Sequence, residues 1–191
     1  IKIFQRVLEK KNGNSLKINT EVKFFKTTAD KFKSKKISEI GNKGVFTKEI
    51  DDALLKNKIN LGIHSLKDLP TKLPKGLEIC AVLKRSDYRD AIISNKKVKL
   101  KDLKKNAVIG TSSVRREMQL RKIRSDFIIK DIRGNIDTRI KKLKEKKYDA
   151  IILATAGLKR LNISDSYRCI DPRTIVPALC QGVIALVVNK K

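Results

Sequence analysis

A chain of 191 residues with 40% hydrophobic content can bury a real core and is no disordered tail, while a formal charge of +26 raises nucleic acid or an anionic surface as partners. With no Trp and only three Tyr, there is no aromatic set on which bases could stack, so nucleic acid is disfavoured. The apolar run Val183 to Val188 is far below the roughly 20 residues that span a bilayer, and Cys80, Cys169 and Cys180 with the single His64 cannot form a zinc set.

The lysines are spread over nearly every segment, often doubled, as on a solvated surface. Nine of the 12 arginines lie between Arg115 and Arg173, several at element ends, where a planar fork can hold a carboxylate through two hydrogen bonds. The unpaired cysteines point to a reducing compartment. The first residue is Ile1, so the true N-terminus is expected to lie upstream and any targeting peptide with it.

Ile3, Phe4, Val7 and Leu8 recur at helical spacing, and Leu16 to Phe24 alternates apolar and polar residues as a half-buried strand does. Residues 26 to 44 read as a Lys/Ser/Gly-rich loop, followed by a helix through Phe46, Ile50, Ala53 and Leu54 and a strand at Leu61 to His64. Ile79 to Leu83 and Ala91 to Ser94 read as strands joined by the charged link Lys84 to Asp90, the first candidate crossing between domains. A regular alternation follows: strand Ala107 to Ile109, helix Ser113 to Ile123, strand Phe127 to Ile132, helix Ile136 to Lys146, strand Ala150 to Leu153, short helix Ala156 to Leu161. Such alternation predicts an α/β fold with mostly parallel sheets. Asp171 to Pro177 is the expected return crossing, and Gly182 to Val188 a final strand rejoining the first domain.

Asp68 follows a buried-type strand, and Pro70 forces Leu69 toward an extended backbone, fixing where the carboxylate points. Ligands of α/β sheets gather at the carboxyl ends of strands. A surface Lys-Asp pair in a turn would give the same pattern, and Lys67 either neutralises the acid or binds an anion itself. His64 reads as a strand residue satisfied by a backbone group. Thr111, Ser112 and Ser113 stand where a strand gives way to a helix, so hydroxyls and free N–H groups make an anion site there. Arg115 and Arg116 point about 100° apart around that helix, able to address two carboxylates. Two cations near a helix N-terminus oppose the macrodipole, a cost that an anion in that place would offset. Arg133-Gly134-Asn135 repeats the layout, with Asn135 as cap and Arg139 one turn on, and Arg160 follows the third strand.

Together these motifs resemble the porphobilinogen deaminase family. HSLKDLPT, GTSSVRR, RGN with Thr138-Arg139, LATAGLKR and Pro177 to Gly182 stand in the family's order. The resemblance implies a hydroxymethylbilane synthase, a transferase that joins four porphobilinogen molecules head to tail with release of ammonia, in tetrapyrrole and haem biosynthesis. It implies two lobes like those of periplasmic binding proteins: domain 1 over residues 1–84 plus 176–191, domain 2 over 88–171, hinges at 85–87 and 172–175, and a third domain beyond this chain. A dipyrromethane cofactor is expected, attached through a cysteine of that third domain, so the chain alone is expected to be inactive. By the family's pattern Asp68 is catalytic. Ser65, Lys67, Thr111, Ser112, Ser113, Arg115, Arg116, Arg139, Ala154, Arg160, Gln181 and Gly182 surround the cofactor; Arg133, Gly134 and Arg116 meet the substrate; Lys43 belongs to a lid. Two departures stand out: Cys180 occupies a position where glycine is usual, and the family's basic N-terminal motif is missing. The expected state is a cytoplasmic monomer with a small-molecule substrate and neither nucleic-acid nor membrane partners. A two-lobed, non-catalytic binder of small carboxylates is the alternative, against which an acid among arginines argues, since it would repel such a ligand.

Overall fold

A computed structural model describes residues 20–27, 46–96, 98–163 and 167–190. The helix expected near Ile3 to Leu8, most of the loop at 26–44, and Lys43 lie outside the described residues. Residues 20–24 of the expected strand Leu16 to Phe24 carry no strand: Val22 and Phe24 are exposed, and alternation makes a strand only where a neighbouring edge accepts its hydrogen bonds.

The first unit is built from helix α1 (Lys48–Leu55), β1 (Gly62–Ser65) and β2 (Leu77–Val82). Leu54 on the apolar side of α1 packs against Leu77 and Val187, with Ile50 and Ile59 at the margin. A short 3-10 turn, Leu66–Asp68, continues β1. The second unit runs β3 (Asp90–Ser94), β4 (Val108–Gly110), α2 (Val114–Ile123), β5 (Ile128–Lys130), α3 (Ile136–Lys144), β6 (Ala150–Ala154), α4 (Thr155–Arg160) and β7 (Tyr167–Cys169); β8 (Ile184–Asn189) then returns to the first.

Two sheets result, ordered β1-β8-β2 and β5-β4-β6-β3-β7. In the larger one, β3 and β6 alternate sides. Ile92 and Ile152 pack with Ile109, Leu120 and Phe127 on one face; Ile93, Ile151 and Leu153 pack with Ile132, Leu143 and Leu158 on the other. Burial on both faces is why these strands read as unbroken apolar runs. The α/β class holds, but the expectation of mostly parallel sheets holds only for β5-β4-β6. β3 runs antiparallel to both β6 and β7, and β8 antiparallel to both β1 and β2. The reason is connectivity: β3 and β8 each enter a sheet from the other one instead of through a helical crossover.

The outgoing and returning crossings lie side by side. Leu83 N–H donates to Ile184 O and Ser86 N–H to Gly182 O, both at 2.9 Å. Gly182 has φ +91°, and a Cβ there would meet Ser86 O at 2.6 Å, so both conformation and space require glycine.

Candidate active site

Between the β1 turn and the Arg133-to-Arg139 segment lies a cleft of about 360 Å³, lined by Ser65, Asp68, Ser112, Arg133, Gly134 and Arg139, and by Thr47, Ile50, Ile63 and His64. Asp68 ends the 3-10 turn, and Leu69 beyond it is extended (φ −75°, ψ 143°), as the following proline demands. Its carboxyl reaches solvent, yet the concave wall excludes enough water that burial raises its pKa, against the lowering pull of Lys67 and His64. An acid so placed holds its proton more readily than a free aspartate and still faces the cleft.

Gly134 (φ +106°) turns the chain so that its carbonyl accepts from Arg139 Nε at 2.7 Å. Burial lowers the Arg139 pKa, and Arg116 and Arg133, both of like sign, lower it further. No acid stands among the influences on Arg139, so an anion entering the cleft would favour its charged form. Ser112 ties this wall to its neighbour strand: its hydroxyl donates to Ile132 O at 2.9 Å and accepts from Ile132 N–H at 3.0 Å. Asn135 is the N-cap residue of α3 by position, but its side chain makes no cap hydrogen bond.

The structure places the other arginine pair differently from expectation. Arg115 and Arg116 grip one carboxylate, that of Asp90, at 2.8 Å to Oδ2 and 2.7 Å to Oδ1. Arg115 also donates to Val176 O, and Arg116 to Ile152 O at 3.1 Å. The anion that two cations at this helix start require is therefore the protein's own. Burial alone would raise the Asp90 pKa, but Arg116, Gln181 and Arg115 together hold it below the ordinary value. Gln181, 1% exposed, is likewise committed: Nε2 donates to Tyr88 O at 2.7 Å and to Asp90 Oδ1 at 2.9 Å, while Oε1 accepts from Lys67 Nζ at 3.4 Å. Lys67 thus leans toward the crossing, its pKa lowered by burial first, raised by Asp68 and lowered again by Arg116.

Thr111 is buried, and its hydroxyl accepts from Ser113 N–H at 3.2 Å, which takes it out of the cleft. Ser113 is the N-cap residue of α2 with no side-chain cap bond. Arg160 donates to Gly182 O at 3.1 Å, and Ala154 ends β6 opposite Asp90. So Ser65, Asp68, Ser112, Arg133, Gly134 and Arg139 share the cleft, whereas Lys67, Arg115, Arg116, Arg160, Gln181 and Gly182 knit the crossings beside it. Asp90 was not singled out in the sequence, although an acid directly ahead of the apolar run Ala91-Ile-Ile was a signal. His64 Nε2 is buried without a hydrogen-bond partner, so that nitrogen is not one a backbone group satisfies.

Among the described residues, no helix is long and apolar enough to cross a membrane, and no group of His, Cys, Asp or Glu could hold a metal. The family profile described as porphobilinogen deaminase, dipyromethane cofactor binding domain, matches residues 2–191. The porphobilinogen deaminase of Sulfurimonas denitrificans is 46% identical over 172 residues, covering 88% of this chain and 55% of that protein. That of Nitratiruptor sp. is 50% identical over 169 residues, covering 87% and 54%. The periplasmic aliphatic sulphonate binding protein SsuA of Escherichia coli aligns over 78% of this chain and 53% of its own, at 13% identity and a TM-score of 0.46. The chain spans about half the length of the curated relatives it matches. A profile that runs along almost every residue, together with relatives near one-half identity, settles the kinship: the chain belongs to the porphobilinogen deaminase family.

Proposed function

We propose that this chain supplies the first two lobes of a hydroxymethylbilane synthase, condensing porphobilinogen units head to tail with loss of ammonia. The observation that carries the reading is Asp68 facing Arg133 and Arg139 across one cleft. A pyrrole bearing carboxylates needs cations for its acid groups and an anion near the ring as leaving-group departure makes it electron-poor. Asp68 then holds pyrrole N–H groups and stabilises the developing charge. The lobes follow the two sheets, residues 1–84 plus 176–191 and 88–171, hinged at 85–87 and 172–175, and the paired crossings at Leu83–Ile184 and Ser86–Gly182 support that division.

The cleft fits a dipyrromethane: the like-charged crowding around Arg139 is eased by its carboxylates, and Asp68 and Ser65 offer acceptors to its ring N–H groups. When bound, that group supplies the pyrrole end on which the chain of rings grows. Arg133 and Gly134 stand toward incoming substrate in this reading. The Asp90 network positions the backbone around Gln181 and keeps the β1 turn tied to the second sheet through Lys67. We place the chain in the cytoplasm as a monomer, as the family resemblance implies.

Asp68→Asn in the full-length enzyme tests the reading. It is expected to slow condensation at least about 100-fold, the scale of losing one group matched to developing charge, while cofactor attachment, seen by mass, survives. Because burial raises the Asp68 pKa, the wild-type rate should fall with decreasing pH from above the usual aspartate range near 4. Near-normal turnover by the variant removes Asp68 from the mechanism.

A further inference from the structure

In the wall of the cleft that holds Asp68, Thr47 and His64, with buried Asp51 beside them, form a polar cluster that the proposed function leaves unused. Thr47, just before α1, is 1% exposed, Asp51 one turn later 4%, and His64 on β1 6%. Thr47 Oγ1, Asp51 Oδ1 and His64 Nε2 make no hydrogen bond of ordinary geometry, although the Thr47 hydroxyl lies close enough to the Asp51 carboxyl to favour its charged form against the burial that raises its pKa. A buried polar atom left unpaired costs about 1–3 kcal/mol, and folded proteins leave few in that condition. Three from different side chains in one corner point to an occupant.

Thr47 and His64 line the cleft that holds Asp68, and Asp51 is near enough that its charge acts on the His64 ring. Gly62 makes the room: a Cβ there would meet His64 Nε2 at 2.9 Å and Leu54 Cδ1 at 3.0 Å. Burial lowers the His64 pKa, so the ring is neutral near pH 7 and keeps one nitrogen lone pair. A hydroxyl, a carboxylate and a neutral imidazole together form an acceptor-rich corner in a strongly cationic chain. The matching occupant donates several hydrogen bonds and carries positive charge, as a primary ammonium group does.

We propose that Thr47, Asp51 and His64 form a subsite for a small ammonium group, namely the protonated aminomethyl end of porphobilinogen and the ammonia it releases. The identification of the substrate rests on the function proposed above; the ammonium subsite does not. Arg133 and Arg139 then take the carboxylates of a bipolar substrate while this corner takes its amine, which fixes the direction of the ring. As the C–N bond breaks, its electron pair leaves with nitrogen as neutral ammonia, and the positive charge remains on the methylene-pyrrole beside Asp68. The step needs no added proton.

His64 is the one histidine of the chain, so its ring gives a single set of NMR resonances. Methylammonium chloride is expected to shift them saturably, tetramethylammonium chloride at equal concentration is not, and Asp51→Asn should weaken the effect about tenfold. Thr47→Val, which removes one acceptor, serves as the second variant if Asp51→Asn fails to fold. Equal shifts from both salts, or none, overturn the subsite. In a second arm, calorimetry compares porphobilinogen with its analogue carrying methyl in place of aminomethyl. The unaltered chain should prefer porphobilinogen about tenfold, and Asp51→Asn should erase the preference while leaving analogue affinity within about twofold. Equal affinity of the unaltered chain for both ligands, or parallel losses in the variant, overturns the substrate assignment and leaves the proposed function standing. A methylammonium response without any preference for porphobilinogen over the analogue upholds an ammonium subsite and overturns its assignment to the aminomethyl group.

Discussion

Cys180 sits in the left-handed backbone region at φ +57°, between Leu179 and the buried Gln181. A side chain there costs roughly 1–2 kcal/mol, while glycine at the same place gives back about 0.5–1 kcal/mol in unfolded-chain entropy. Cys180→Gly should therefore stabilise the chain by about 0.5–1 kcal/mol, read as a higher denaturant midpoint at unchanged slope; a lower midpoint would mean that the thiol packs better than its backbone suffers. The unusual residue was legible in the sequence, and its strain was not, because φ is a property of the turn. Asp68 was legible for a different reason: Pro70 constrains the backbone beside it, so the chain itself dictates where that acid stands. Asp90 escaped notice because it closes the charged link from Lys84, and nothing local reveals that two guanidiniums and an amide converge on it. Arg115 and Arg116 were recognised as anion binders, but no spacing rule says whether the anion comes from outside or from twenty-five residues upstream.

At the level of elements, Asp90 begins β3, Arg115 and Arg116 belong to α2, and Gln181 lies on the way to β8, so one carboxylate joins three parts of the chain. Asp90→Ala leaves Arg116 buried without its counter-charge and should cost about 3–5 kcal/mol, measured by thermal or chemical unfolding. The sign of its pH dependence follows from the lowered pKa. Its contribution is complete above the unfolded aspartate value near 4 and is lost as pH falls through the lower folded value, so the stability gap between the unaltered chain and Asp90→Ala should narrow as pH falls below about 4, and added salt should change it little because the carboxylate is buried. The long apolar runs of β3 and β6 were read correctly because burial on both faces leaves no other composition. β7 was missed: Tyr167-Arg168-Cys169 is three residues at a sheet edge, and its strand character is supplied by β3 alone. Alternation at Leu16 to Phe24 misled in the opposite way, since over its described part, residues 20–24, a pattern was present and a partner edge was not.

For the whole molecule, the reading of two lobes around a cleft predicts that this chain by itself, supplied with porphobilinogen, yields no hydroxymethylbilane by chromatography, because it spans about half of its relatives and the cofactor's attachment cysteine is expected elsewhere. Appreciable product would show that these lobes suffice. The larger sheet draws its strands from one continuous stretch, Asp90 to Cys169, whereas the smaller one takes its middle strand, β8, from the far end of the sequence. β1 and β2 do not pair with each other; each waits for Ile184–Asn189. During synthesis on the ribosome the inner unit can therefore mature while the outer one still lacks its keystone, and the turn that carries Asp68 is locked only when the last strand slots home.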